Sequence, residues 1–282
     1  MATILSISSQ VVYGAVGNTA SAFAMERLGH EVWEVPTTLL AHHPGYGKPE
    51  GMRLAPDLIL GLIRALEDRG WLARCDAVVS GYLADAGQAE AVADAVGRVK
   101  AANPAALYLC DPIVGDGAGP YVSPEVEAAQ AKLVRTADII TPNWFEFCRL
   151  TGETPANAQA AVGLARRLGP KLVVVTSAPA PEGRISCLAV DAERGYRAET
   201  ARHMPTNGGV IPNGTGDFFA AALLARLLNG EGLPQALARA AASVAALVKS
   251  SVDARRSELA LSHDQGLISD PGILPNIEII DI

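Results

Sequence analysis

The sequence predicts an α/β protein whose mainly parallel sheet is covered by helices on both faces, with antiparallel strands at one edge. Three observations carry that expectation. Short apolar runs alternate with longer helical stretches through the first two-thirds of the chain, the pattern of repeated βαβ units. Several of those runs are apolar without alternation, as strands buried on both faces are. Two runs, Cys187 to Val190 and Gly195 to Thr200, are separated only by Asp191-Ala192-Glu193-Arg194, which suggests a hairpin rather than a crossover.

In order along the chain, Ala2 to Ser8 reads as the first strand and Ser9 to Gly17 as the loop after it. Asn18 or Thr19 then caps a helix through Leu28, and Gly29 ends it. Glu31 to Val35 is the next strand. Thr37 to Gly51, with two histidines, two prolines and three glycines, has no period and reads as a long functional or mobile loop. Helices are expected over Pro56 to Asp68, Ala86 to Ala101, Ser123 to Val134, Trp144 to Leu150 and Asn157 to Leu168. Strands are expected at Ala77 to Ser80, Leu107 to Cys110, Ile139-Ile140 and Leu172 to Thr176. Thr206 to Pro212 reads as a flap or a plain surface turn. After the turn at 214–216 come helices Asp217 to Leu228 and Leu233 to Ser250. No repeat, low-complexity tract or dividing linker interrupts residues 1–282, so a single domain is expected.

Composition narrows the function classes. With 282 residues, 49% hydrophobic and 19% charged, the chain can bury a substantial core. A formal net charge of -7 argues against a nucleic-acid partner, which would require a basic footprint. An anionic small substrate is compatible with it, because local N–H groups or a metal ion override the global sign. Cys75, Cys110, Cys148 and Cys187 show no paired ligand spacing and suit buried thiols in a reducing compartment. The N-terminus lacks the basic segment of a signal peptide, and no uncharged apolar run reaches membrane-spanning length. A cytoplasmic protein without a membrane partner is the expectation.

The chemistry-bearing residues fall after the expected strands: Ser9 and Gln10, Gly81 and Tyr82, Asp111 and Asp116, then Thr141, Asn143 and Glu146, then Thr176 and Ser177. In an open parallel sheet such ends meet on one side, where ligands bind. Asn213-Gly214-Thr215-Gly216-Asp217 joins them: a glycine turn opening an apolar helix offers unpaired N–H groups to an anion and adds one carboxylate. Phosphoryl transfer suits this set best, since it needs phosphates held in line with a hydroxyl whose proton is accepted. Asp111, Asp116 and Glu146 have the hard oxygens that suit hydrated Mg2+, although turn and cap duty is the alternative for each. The Walker pattern Gly-x-x-x-x-Gly-Lys-Ser/Thr is absent.

Gly214-Thr215-Gly216-Asp217-Phe218-Phe219-Ala220-Ala221 resembles the C-terminal signature of the ribokinase-like superfamily. The resemblance narrows to the pyridoxal kinases through Ser9, Val11-Val12-Tyr13-Gly14, Gly17-Asn18, Tyr46-Gly47, Ser80-Gly81-Tyr82-Leu83, Cys110-Asp111-Pro112 and Gly115-Asp116. Thr141-Pro142-Asn143, Glu146 and Val175-Thr176-Ser177 continue it in order, and it weakens after about Ser250. It implies a three-layer αβα sandwich that phosphorylates the 5′-hydroxymethyl group of pyridoxal, pyridoxine or pyridoxamine with ATP and Mg2+. It also implies a homodimer, and leaves a K+ requirement open. By the same resemblance Asp217 is the base, and the N–H groups of Gly214, Thr215 and Gly216 form the anion hole. Ser9, Gln10, Tyr46 and Tyr82 lie toward the ring; Asn143, Thr176 and Ser177 line the nucleotide phosphates. Asp111, Asp116 and Glu146 lie near metal and phosphates. Two departures concern the acceptor end. Ser9-Gln10 replaces Ser-His, removing a group that titrates near neutrality, and His42-His43-Pro44 replaces Asn-His-Thr, removing a hydroxyl and an N–H. The preference among vitamers is therefore left open. A hydroxymethylpyrimidine kinase and a noncatalytic B6-binding protein are the alternatives.

Overall fold

A computed structural model describes residues 1–205 and 211–281. Its strands join one ten-stranded sheet in the order β12-β11-β10-β9-β8-β5-β4-β1-β2-β3, beside a small ribbon of β6 and β7. The central strands are β1 (Thr3–Tyr13), β2 (Glu31–His42), β4 (Ala77–Ser80), β5 (Leu107–Cys110), β8 (Ile139–Ile140) and β9 (Leu172–Ala178), all mutually parallel. At one edge, β10 (Arg184–Val190), β11 (Gly195–Ala201) and β12 (Ile277–Ile280) run antiparallel; at the other, β3 (Gly51–Arg53) does the same. The ribbon strands are β6 (Gly115–Asp116) and β7 (Gly119–Pro120).

Alternate residues of each central strand feed two separate cores, as the pleat requires. Leu5, Ile7, Val78, Tyr108, Cys110, Val173 and Val175 face one layer of helices. That layer is α2 (Pro56–Asp68), α3 (Ala86–Ala102), α4 (Pro124–Val134), α5 (Trp144–Thr151) and α6 (Ala158–Arg167). Ile4, Ala77, Val79, Leu109, Leu172 and Val174 face the other. There the cover is α1 (Asn18–Arg27), α7 (Thr215–Leu228), α8 (Leu233–Asp253) and the single turn α9 (Gly266–Ser269). The expected three-layer αβα sandwich with antiparallel edges is what the chain forms.

Local chemistry accounts for the helix starts. Ser123, Asn157 and Asp85 cap α4, α6 and α3 with side-chain oxygens. Pro56 and Pro124 stand in the first turns of α2 and α4, where a missing N–H costs nothing. Around Asn143, a reciprocal capping box with Glu146 starts α5. Neither Asn18 nor Thr19 caps α1, contrary to the sequence reading: Gly17 occupies that position with φ 55°. The buried Asn18 side chain instead accepts from Ser6 Oγ at 2.9 Å and donates to the Ser8 and Val35 carbonyls, both at 3.3 Å. It fastens β1 to β2.

Three expectations require correction. Ser9 and Gln10 are not in a loop, because β1 continues to Tyr13 in register with β2, Tyr13 opposite His42, with a bulge between Ser8 and Gln10. Thr37 to Gly51 is not one long loop; it is strand as far as His42, then a 3-10 turn at Pro44–Tyr46, and Gly51 begins β3. Pro36 falls inside β2 opposite Ser8, since a proline is tolerated in a strand beside such a bulge. Ser177 lies within β9 rather than after it. The suggested flap at 206–212 falls largely outside the described residues. Among the described residues no helix is long and apolar enough to cross a membrane.

Because β1 has β4 on one side and β2 on the other, the chain reverses its winding direction there. The carboxyl ends of β1 and β4 therefore border the switch-point crevice in which open α/β sheets hold ligands.

Candidate active site

The α7 turn is built against the end of β1. Gly214 has φ 83°, and a Cβ there would lie 1.7 Å from the Ala15 carbonyl oxygen, so only glycine fits. Gly17 is equally constrained, since its Cβ would lie 2.1 Å from the Ser9 carbonyl and 2.4 Å from Ser9 Oγ. These contacts bring Ser9, the turn before α1 and the start of α7 together. Thr215, Gly216 and Asp217 open the helix, where N–H groups have no acceptor within the helix. At Gly216 a Cβ would meet nothing within 4 Å among the described residues, so the turn faces open space on that side.

Asp217 is half-buried in this crevice. Desolvation pushes its carboxyl up to about 6, although the Gly17 N–H and its own N–H pull the other way. Ser21 Oγ donates to the Asp217 carbonyl at 3.3 Å and locks α1 to α7.

Opposite lie the acids from β5 and α5. Asp111 is 6% exposed. Burial first, then the Glu146 and Asp217 charges, hold its carboxyl well above the usual carboxylate range, while the Thr141 hydroxyl, donating at 2.9 Å, works against them. Glu146 is 3% exposed, and burial raises it to about 7 against donations from backbone N–H groups. Its Oε1 accepts from Val114 at 3.0 Å and Gly115 at 3.4 Å, and its Oε2 from Asn143 at 2.8 Å. Asp116 is exposed at the ribbon turn and accepts from the Ala118 N–H at 2.8 Å. Among the described residues no three His, Cys, Asp or Glu side chains gather closely enough to hold a metal ion directly. Asp111, Asp116 and Glu146 are therefore not a ready cage. They are a group of hard oxygen donors around one crevice, an environment that fits an ion keeping several of its waters.

The remaining expected residues are placed as follows. Tyr82 follows β4; its N–H donates to Ser8 Oγ at 3.2 Å and its carbonyl accepts from Thr37 Oγ1 at 2.7 Å. Gln10 is half-buried and paired with Leu39 in the sheet. The Asn143 amide is committed to structure, accepting from the Glu146 N–H at 3.0 Å and donating to the Gly115 carbonyl at 2.8 Å. Thr176 bridges to Asn143 in parallel. Beside it, Ser177 has φ 53°, a conformation that non-glycine residues adopt rarely. Tyr46 lies farther out, its hydroxyl bonded to Glu258 and to Ser257 Oγ and its ring edge-on to Tyr13 and His42.

Two residues escaped the sequence reading. The phenol of Tyr121, half-exposed after the ribbon, is raised by desolvation and then by the charges of Glu146, Asp111, Asp116 and Asp217. Glu258 joins Tyr46, Ala15 and Asn213. A tyrosine after a glycine ribbon carries no local signal of this kind, and Glu258 acts across the whole length of the chain.

The sequence pattern of the family described as phosphomethylpyrimidine kinase matches residues 50–261. The pyridoxal kinase PdxY of Leifsonia xyli subsp. xyli is 40% identical over 276 residues, covering 95% of this chain and 96% of that one. The PdxY of Granulibacter bethesdensis is 42% identical over 268 residues, covering 91% and 92%. Among solved structures, the pyridoxal kinase of Leishmania donovani in complex with ADP and pyridoxamine superposes with a TM-score of 0.91 at 25% identity, covering 99% of each chain.

Proposed function

The chain belongs to the ribokinase-like family of pyridoxal and phosphomethylpyrimidine kinases, and from that premise we propose that it is an ATP-dependent pyridoxal kinase acting as a single domain. It transfers the γ-phosphoryl group of ATP to the 5′-hydroxymethyl oxygen of pyridoxal, and of pyridoxine and pyridoxamine by the same chemistry, as in vitamin B6 salvage. The observation that carries the reading is Asp217, a half-buried carboxyl titrating at about 6 at the start of α7, beside the Gly214–Gly216 turn. Solved relatives hold ADP with pyridoxamine or with pyridoxine.

In this reading the acceptor ring lies over the ends of β1 and β4, between Ser9 and Tyr82, with Gln10 and Tyr46 toward its rim. Asp217 accepts the hydroxyl proton as the acceptor oxygen bonds to the γ-phosphorus and the bond to the ADP oxygen breaks. The N–H groups of Gly214, Thr215 and Gly216 stabilise the charge on the transferring group, where preorganised donors are most effective. Asn143, Thr176 and Ser177 border the nucleotide side, and for Asn143 this means its backbone and position rather than a free amide. Asp111, with Asp116 and Glu146 acting through waters, would hold Mg2+. When bound, the ion neutralises charge on the β- and γ-phosphates.

The match to a family described by phosphomethylpyrimidine favours one second reading, a kinase of hydroxymethylpyrimidine. The protein is taken to be a cytoplasmic homodimer. The test is turnover with Mg-ATP and pyridoxal. Phosphorylation is expected to stop in EDTA and to fall by at least about a hundredfold in Asp217→Asn, the scale typical of general-base removal. Near-wild-type kcat in Asp217→Asn at saturating ATP would remove the assigned base. A kcat/KM for hydroxymethylpyrimidine exceeding that for pyridoxal would replace the substrate.

A further inference from the structure

Glu258 has no part in the phosphoryl-transfer steps above, yet its carboxylate meets three pieces of the site. Its Oε2 accepts the Ala15 N–H at 2.7 Å. Its Oε1 accepts from the Tyr46 hydroxyl and, at 3.3 Å, from Asn213 Nδ2. The chain beside it reinforces the arrangement, because Asn213 and Glu258 form a parallel bridge and the Asn213 N–H donates to the Ser257 carbonyl at 3.2 Å. Ala15 is the residue whose carbonyl oxygen abuts Gly214, and Asn213 is the residue before Gly214. One anionic group thus holds the turn from beneath and from its entry, and also grips the loop that carries Tyr46.

We propose that Glu258 is a positioning residue that sets the Gly214–Gly216 anion hole relative to the acceptor loop. The proposal rests on the kinase reading above. Bonds to an ionised acceptor are stronger than neutral ones, and a displacement of about 1 Å in a preorganised site can cost a hundredfold in rate. A carboxylate that pins both sides of the turn supplies that precision. Through Tyr46 it also links the acceptor end of the crevice to the phosphate end.

The test uses Glu258→Gln, Glu258→Ala and Tyr46→Phe, with Asp138→Asn as a structural control. Asp138 lies at the opposite end of β8, where it binds Lys100 and Lys171. Expected is a kcat reduced by about tenfold in Glu258→Gln and more in Glu258→Ala, with the KM for ATP within about twofold of wild type. Tyr46→Phe, which leaves Glu258 on Ala15 and Asn213, should mainly raise the acceptor KM. Asp138→Asn should lower Tm without lowering kcat at 25 °C. Amide hydrogen exchange in segments 14–17 and 213–217 should quicken in both Glu258 variants and not in Asp138→Asn. The proposal is overturned if both Glu258 variants keep kcat within about twofold of wild type, or if exchange in those segments is unchanged. Should the wild-type protein not phosphorylate pyridoxal, the kinase reading fails by itself, and the exchange measurement still decides whether Glu258 holds the turn.

Discussion

The proposed base, Asp217, has a carboxyl raised by burial to just below neutrality. With its carboxyl at about 6, it is ionised by about ten to one at pH 7, yet remains basic enough to take a proton. The kcat/KM for pyridoxal should therefore fall about tenfold per pH unit below about 6, and a flat profile from pH 5 to 7 would exclude this base. Stability moves in the opposite direction. A carboxyl whose folded pKa is raised binds its proton more tightly when folded, so its contribution is fully present below the ordinary value and is lost as pH rises through about 6. The Tm of Asp217→Asn should accordingly gain on wild type between pH 5 and pH 8 in the ligand-free protein. Asp217, Asp111 and Glu146 were legible in the sequence because each follows a strand or opens a helix, positions where topology alone predicts convergence. Glu258 was not, since its partners Ala15, Tyr46 and Asn213 come from three distant segments. The structural commitment of the Asn143 amide was also hidden, as a capping box and a phosphate contact ask for the same residue type.

Among the elements, the start of α7 makes the sharpest distinction between two neighbouring glycines. Gly214→Ala would drive a Cβ into the Ala15 carbonyl and hold a left-handed backbone, whereas Gly216→Ala meets nothing within 4 Å among the described residues. Strain of this kind costs on the order of 1–3 kcal/mol before the overlap is counted. Thermal melts should show a clear loss for Gly214→Ala and a change within about 2 °C for Gly216→Ala. Equal losses would mean that the close approach to Ala15 does not hold the turn. Helix α2 and strands β4, β5 and β8 were read to the residue, because short apolar runs with clear punctuation leave little choice. The far halves of β1 and β2 were not. Their sequences carry polar residues and, in β2, a proline, and what makes them strands is mutual pairing, Gln10 with Leu39 and Val11 with Leu40. Backbone pairing of that kind leaves no periodic trace in either partner. The same reason hid β12, which is a strand because β11 receives it.

For the molecule as a whole, the outward ends of β1 to β3 expose Val12 (80%), Tyr13 (61%) and Met52 (62%). Clustered apolar exposure of this sort commonly marks an interaction surface, and it supports the proposed homodimer. Equilibrium sedimentation at micromolar concentration is expected to give twice the 29.3 kDa chain mass; a monomer at that concentration would remove the expectation. The layered architecture was legible as a whole because alternation of strand and helix dictates it, and the hairpin correctly announced the antiparallel edge. The sheet's order was not predicted, since crossovers in either direction leave the same local pattern.

That order has a consequence for how the protein is made. The earliest of these strands in chain order, β1, lies in the interior of the sheet, so strands made later must join it on both sides. One face is clothed as synthesis proceeds, by α2 through α6. The other has only α1 until α7 and α8 emerge in the last third of the chain. At about 5–20 residues per second, a nascent chain ending near residue 212 carries a half-bare sheet for several seconds. The helix that brings Asp217 is also one that covers this face, so the proposed catalytic carboxyl arrives with the element that closes the sheet.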